Sequence, residues 1–256
     1  MEILKIENLC LNINEKKVLK NISFSINQGE IIGLIGVNGS GKTTLLKCLN
    51  RVNIPSSGLI KISGESIKNM TQKILAKKIA LMSQNTNISL PFNCLEIVVL
   101  GRYPHLVKGK SYTDKDYKKS KKYMELTDTI EFKDKNISCL SGGERQRVLF
   151  SKVLAQETEI ILLDEPTSSM DIYNQEQIFR ICKTLSQEGK TIVTAIHDIR
   201  MAAKYCDKLL LLKAGEVIAF GNVEEVLTKA NLKKSYSVDT KVYRNEISGK
   251  IDYYIY

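Results

Sequence analysis

The chain has 256 residues, with 38 Lys and Arg against 28 Asp and Glu, a formal charge of +10. Hydrophobic residues make up 43% and charged residues 26%, with only 15 Gly and 4 Pro, which is ordinary globular usage and excludes a disordered, collagenous or low-complexity chain. The longest apolar runs are strand-sized, far short of the roughly 20 residues of a membrane span.

Near the start the residues alternate in short pieces, Ile3–Ile6, Val18–Leu19 and Ile22–Ile26, as in a half-exposed antiparallel sheet. Glu2 stands where a signal peptide would carry basic charge. The six cysteines are scattered singly without a C-x-x-C pair, so they read as reduced packing residues of a cytosolic protein. With two histidines, His105 and His197, a His-based metal site is nearly excluded.

The unbroken apolar strand Glu30–Ile35 runs into Gly36-Val37-Asn38-Gly39-Ser40-Gly41-Lys42-Thr43-Thr44, and Thr43–Leu49 has helical composition. Glycines let the backbone wrap an anion and turn successive N–H groups toward it, and the helix beginning near Lys42 adds its positive end. Lys42 is placed for the β- and γ-phosphates and the Thr43 hydroxyl for Mg2+. A nucleoside triphosphate is expected here. No N-K-x-D segment argues for guanine.

Thr71 to Ala155 is dominated by helical patterns with lysine-rich connections, and Lys115–Lys122 reads as a solvated helix face. A second buried strand, Ile160–Leu163, ends in Asp164 and Glu165, one carboxylate suited to the metal and the other to accepting a proton from water. A third, Thr191–Ile196, ends at His197. Leu209–Leu212 and Val217–Phe220 flank a turn, and Val238–Arg244 with Ile251–Ile255 suggest a closing hairpin. Buried strands interleaved with helices make the chain an α/β protein with a parallel core.

Between the helical middle and the acidic strand stands Leu140-Ser141-Gly142-Gly143-Glu144-Arg145-Gln146-Arg147. With the phosphate loop, the acidic strand, a lone Gln84 after Ile79–Met82, Ser168-Ser169-Met170-Asp171 and His197, it makes the chain resemble an ATP-binding-cassette (ABC) ATPase from Leu4 to about Tyr236. The resemblance implies a P-loop NTPase fold with an antiparallel β subdomain and an α-helical subdomain. It implies one cassette over 1–256: a RecA-like core at about 1–84 and 156–236, a helical part at about 85–155, and a hairpin tail at about 237–256.

It also implies the roles. Gly36, Asn38, Gly39, Ser40, Gly41, Lys42, Thr43 and Thr44 would bind ATP, with Thr43, Gln84 and Asp164 toward Mg2+. Glu165 would be the base, His197 would hold the γ-phosphate, and Gln84 would relay to the helical part. Ser141, Gly142 and Gly143 open a helix and form a second anion site, used in trans by a second copy in a head-to-tail dimer whose D-loop carries Ser168 and Asp171. The residue matching the adenine-stacking aromatic is Ile13, which lacks a π face.

Leu100-Gly101-Arg102-Tyr103-Pro104-His105 is similar to a segment of the iron-chelate, haem and cobalamin importers. There Leu100, Gly101, Arg102, Pro104 and His105, with apolar patches around Gln84–Cys94, would meet membrane-spanning permease subunits fed by a substrate-binding protein. On local physics alone, Gly101 would merely cap a helix, with Arg102 and His105 exposed. The resemblance places the chain at the cytoplasmic face of the cell membrane, as a peripheral subunit driving uptake of an iron(III)-siderophore or similar chelate. Other importers or exporters (zinc, manganese, molybdate) and a nucleic-acid-directed cassette are the alternatives. Nucleic acid is not the expected partner, since there is no long heptad insert and no second phosphate loop.

Overall fold

The structure, a computed structural model, describes residues 1–84 and 92–256, which form two compact units, residues 1–69 with 191–256 and residues 70–190. The expected apolar patch at Gln84–Cys94 lies largely outside the described residues.

In the first unit the strands Glu2–Ile13 and Lys16–Asn27 pair antiparallel, and Ser57–Ile62 joins the other edge of Glu2–Ile13. Both long strands span 12 residues. The sequence shows them only as short pieces because the register slips between Ile6 and Leu9 and again before Leu11, with Asn8 (φ 48°) and Asn21 (φ 53°) in the left-handed region. Each slip breaks the two-residue period that marks a strand. Ser57–Ile62 was not read from the sequence; the alternation of Ile60, Lys61 and Ile62 before the turn at Ser63-Gly64 is its signal.

A parallel group supplies the unit's second layer. Ile31–Ile35 lies between Thr191–Ala195 and Lys208–Lys213, and Glu216–Asn222 returns antiparallel beside Lys208–Lys213. Every residue of Ile31–Ile35 and of Thr191–Ala195 is buried, as expected of parallel strands covered on both faces. Phe24 and Phe220, with ring centroids 5.4 Å apart, tie the antiparallel layer to this group. The helix Lys229–Tyr236 leads into the tail hairpin Thr240–Arg244 and Ile251–Ile255, close to the expected bounds.

In the second unit Ile79–Met82 and Ile160–Asp164 pair in parallel. The helices Cys94–Val99, Asp114–Leu126 and Gly142–Ala155 pack on one another around Met124, Val148, Phe150 and Leu154. Thr127, Thr129 and Ser151 share hydroxyl hydrogen bonds inside that core, so these three buried hydroxyls satisfy one another where the helices meet. Helix Asp114–Leu126 turns Lys115, Lys118, Lys121 and Lys122 to solvent, as its composition suggests. Among the described residues none of the six cysteines forms a disulfide.

Candidate active site

The phosphate loop follows the buried strand Ile31–Ile35 and is shaped by what it cannot accommodate. A Cβ on Gly36 (φ 143°) would stand 2.2 Å from the Leu212 carbonyl oxygen, and one on Gly41 (φ 109°) would stand 2.9 Å from Leu19 Cδ2. Either addition closes the loop against its own unit. Gly36, Ser40, Gly41 and Lys42 are buried, whereas Val37, Asn38 and Gly39 form an exposed tip. Behind the loop, Gly215 donates its N–H to Ser40 O at 3.0 Å, which anchors it to the turn between Lys208–Lys213 and Glu216–Asn222.

Lys42 is 5% exposed, and its ammonium donates to the carbonyls of Gly36 (2.8 Å) and Val37 (3.3 Å). The cation is thereby aimed back across the loop. Helix Lys42–Leu49 begins after Gly41 with no side-chain cap, so the positive end of its dipole is turned to the loop and favours an anion there. Thr43 and Thr44 open this helix at half-buried positions. Tyr236 ends its own helix with its phenol oxygen accepting a hydrogen bond from the Gly36 backbone. Burial pushes that phenol up to about 12 although the hydrogen bond favours the ionised form. This contact was not foreseen, because nothing local to Tyr236 signals it.

His197 follows Thr191–Ala195 by two residues and is exposed. Ile13 is 44% exposed at the end of its strand, paired with Lys16 across the hairpin, which leaves an aliphatic face available to a planar ligand.

In the second unit Asp164 is 2% exposed and ends its strand. Glu165 then takes a left-handed conformation (φ 53°), an uncommon one for a non-glycine residue. Its Oε2 accepts a 2.5 Å hydrogen bond from Gln84 Nε2. The two residues are 81 positions apart, so the sequence points to each singly while the fold joins them.

Ser141 caps helix Gly142–Ala155 in a reciprocal box. The Glu144 N–H donates to Ser141 Oγ at 3.4 Å, while Glu144 Oε2 accepts from the Ser141 backbone N–H (2.8 Å) and hydroxyl (2.6 Å). Those bonds from Ser141 hold the Glu144 carboxyl below the usual carboxylate range. Ser141 and Gly142 are exposed. Gly143 rests on the D-loop, where a Cβ would lie 3.4 Å from Ser169 O, and Gln146 Nε2 donates to Ser168 Oγ at 3.3 Å. Asp171 caps the helix Ile172–Gln187 through the Asn174 N–H at 2.8 Å.

The segment Leu100–His105 is a short 3-10 helix, and its side chains divide differently from both expectations. Gly101, Arg102 and Pro104 are buried. A Cβ on Gly101 would strike Lys152 O at 2.2 Å, and His105 Nε2 lies 2.9 Å from Gln156 O. Arg102 is neither exposed nor available for docking: its guanidinium bonds Asp116 (3.2 Å), Ala155 O (2.7 Å) and Glu157 (2.8 Å). What the segment turns outward is Leu100 and Tyr103, 41% and 68% exposed.

Burial works against ionisation of Glu157 and Asp116. Lys119 and Arg102 for Glu157, and Thr113 and Arg102 for Asp116, outweigh it and hold both carboxyls below their ordinary values. Their contribution to stability is therefore full above the usual carboxylate range and lost as pH falls through the depressed values. Arg102→Ala takes the shared cation from two partly buried carboxylates, leaving Glu157 to Lys119 and Asp116 to Thr113, and is expected to cost about 1.5–3 kcal/mol, with acid unfolding shifted to higher pH, read by urea titration at pH 7 and pH 5.

The oxygen donor types present at Thr43 in the first unit and at Asp164 and Gln84 in the second, a hydroxyl, a carboxylate and an amide, are hard donors of the kind Mg2+ prefers. Among the described residues no cluster of three His, Cys, Asp or Glu competes as a metal site.

A glycine-built anion cradle after a buried parallel strand defines a P-loop nucleotide-binding α/β protein. The chain matches the ABC transporter family over residues 19–168 and belongs to it. It is 34% identical to the iron(3+)-hydroxamate import ATP-binding protein FhuC of Bacillus subtilis over 98% of this chain and 93% of that one. It is 31% identical to the cobalamin import ATP-binding protein BtuD of Halobacterium salinarum, of which it spans 62%. Among solved structures, an ABC transporter described as of metal-chelate type, in an inward-facing conformation, superposes with a TM-score of 0.86 at 26% identity, covering 100% of this chain and 97% of that one. A bacterial ABC transporter cassette solved as a dimer superposes with a TM-score of 0.77 at 29% identity, covering 86% and 99%.

Proposed function

We propose that the chain is the ATP-hydrolysing subunit of a membrane importer and works as a head-to-tail pair of copies that drives uptake of an iron(III)-siderophore or similar chelate. The observation that carries the hydrolytic part is the Gln84–Glu165 hydrogen bond, which sets a carboxylate beside an amide at the end of a buried strand.

Gly36, Asn38, Gly39, Ser40 and Gly41 cradle the phosphates through backbone N–H groups, Lys42 neutralises them, and Thr44 helps open the helix behind. Thr43 and Asp164 would hold Mg2+, with Gln84 as its sensor; the ion supplies charge neutralisation at the β- and γ-phosphates. Glu165 accepts the proton of the attacking water, and His197 holds the γ-phosphate. Ile13 packs on adenine through aliphatic contact only.

The exposed Ser141 and Gly142 at the start of a 14-residue helix, with Gly143 behind them, present a second anion site that suits the γ-phosphate bound by another copy. Ser168 and Asp171 shape the loop beside it. ATP then holds the pair closed and hydrolysis releases it.

Permease subunits would meet the second unit at a groove of about 620 Å³ lined by Tyr103, Pro104, Leu106, Val107, Lys73 and Lys108 among others. Tyr103 and Val107 are the exposed apolar contacts there, at 68% and 62%. Among the described residues no helix is long and apolar enough to cross a membrane; the place at the cytoplasmic face, as a peripheral subunit, is drawn from the import ATP-binding proteins to which the chain is similar. The iron-chelate assignment draws on the import proteins to which the chain is similar and on the Leu100–His105 segment.

Uptake of labelled ferric hydroxamates, haem and cobalamin in cells lacking the chain tests the reading. Loss of ferric-chelate uptake alone is expected; unchanged uptake of all three overturns the cargo assignment. Copurification with DNA in place of a membrane partner overturns the transport role.

A further inference from the structure

His197 is followed at once by Asp198, whose carboxylate accepts hydrogen bonds from the backbone N–H groups of Arg200 (2.8 Å) and Met201 (3.3 Å). The corner that carries His197 is thus as fixed as the first turn of the helix Ile199–Tyr205. Seven residues hold a helix poorly by themselves, so that helix depends on what packs against it. Ile199, Ala202 and Ala203 are buried and supply one side.

The C-terminal hairpin supplies the other. Arg200 Nε donates to Asp252 Oδ1 at 3.0 Å, Nη2 reaches Tyr253 O at 3.5 Å, and the guanidinium lies 5.6 Å from the Tyr253 ring centroid. Asp252 is the more enclosed partner, its side chain 18% exposed against 64% for Arg200. It also accepts from the Tyr243 hydroxyl on the facing strand at 3.3 Å. A lone exposed ion pair contributes little, but here the arginine bonds a carboxylate already positioned by its hairpin and stacks on a half-buried ring.

The hairpin is itself tethered. Lys229 Nζ donates to the Tyr256 hydroxyl at 3.0 Å and Lys233 pairs with Asp239 at 2.8 Å, both from the helix whose last residue, Tyr236, accepts from Gly36. One strap of chain, all within the first unit, runs from the phosphate loop's first glycine to the turn after His197.

We propose that this hairpin braces the His197 corner, and that Arg200 and Asp252 are positioning residues for hydrolysis which act through the Asp198-capped helix without touching nucleotide. The inference rests on the γ-phosphate role proposed for His197.

Steady-state ATPase measurements on the full chain test it. Arg200→Ala is expected to lower kcat by roughly tenfold while KM for ATP stays within about twofold, since misplacing a γ-phosphate contact harms the reacting geometry more than binding. Asp252→Asn should show the same split more weakly. Arg200→Asp should lose activity, and adding Asp252→Arg should recover at least about half of kcat, which a general loss of folding would not do.

Wild-type kcat in Arg200→Ala overturns the brace, as does a charge swap that recovers nothing. His197→Ala separates the two readings. If it abolishes turnover while Arg200→Ala keeps the wild-type kcat, only the brace fails; if it hydrolyses normally, the role of His197 falls and the brace falls with it.

Discussion

Glu165→Gln is expected to abolish turnover while ATP binding persists. Glutamine keeps the size of the side chain and can still hydrogen-bond Gln84, so the 2.5 Å contact that orients position 165 need not be broken. What it loses is the capacity to accept a proton from water. General-base removal typically costs about 10²- to 10⁴-fold in rate, and the loss should fall on kcat, leaving the affinity for ATP near that of the wild type.

The left-handed backbone at Glu165 (φ 53°) sharpens the expectation. A non-glycine residue held there is strained, and such strain is retained where the side chain must be aimed. Glutamine tolerates that conformation about as well as glutamate, so folding should be unaffected. With ATP bound and not cleaved, paired copies should accumulate, visible as a doubled mass in light scattering with ATP and as single copies without it. Normal hydrolysis by Glu165→Gln removes this residue from the role of base. Slow hydrolysis with no pairing leaves the base in place and removes the shared site at Ser141.

The parts of this molecule that were legible beforehand are those whose chemistry is local. A glycine cradle is written in eight consecutive residues, although the clash that demands glycine at Gly36, a Cβ meeting Leu212 O at 2.2 Å, is with a strand far along the chain. The reciprocal cap of Ser141 and Glu144 is likewise a pattern of fixed spacing.

Arg102 shows what escapes such a reading. Its partners stand 14, 53 and 55 residues away, so the charge that seemed to look outward turns in to hold the core of the second unit. Long-range pairing also hid the bond between Gln84 and Glu165, the seat of Tyr236 on Gly36, and Arg200 on the hairpin. The two bulged strands were blurred for another reason: their register slips at Asn8 and Asn21 erase the alternation from which strands are read.

Lys42→Ala is expected to weaken ATP binding by roughly 10- to 100-fold. The ammonium is almost fully covered, yet it already donates to two loop carbonyls, at 2.8 and 3.3 Å, so its position is prepared before any phosphate arrives. A hydrogen bond to a charged group is worth about 1.5–3 kcal/mol, and a factor of ten corresponds to about 1.4 kcal/mol, which gives the range stated. Alanine also leaves the Gly36 and Val37 carbonyls facing an incoming anion with no cation between them, which adds repulsion to lost attraction. Lys42→Arg restores the charge without restoring binding, because a planar guanidinium does not reproduce a compact ammonium donating to two loop carbonyls. Calorimetric titration with ATP, ADP and AMP separates these causes. The loss should be large for the first two and small for AMP, whose single phosphate lies short of the lysine. Equal losses for all three would instead mean that the loop itself has collapsed, and unchanged ATP affinity would take Lys42 out of the site.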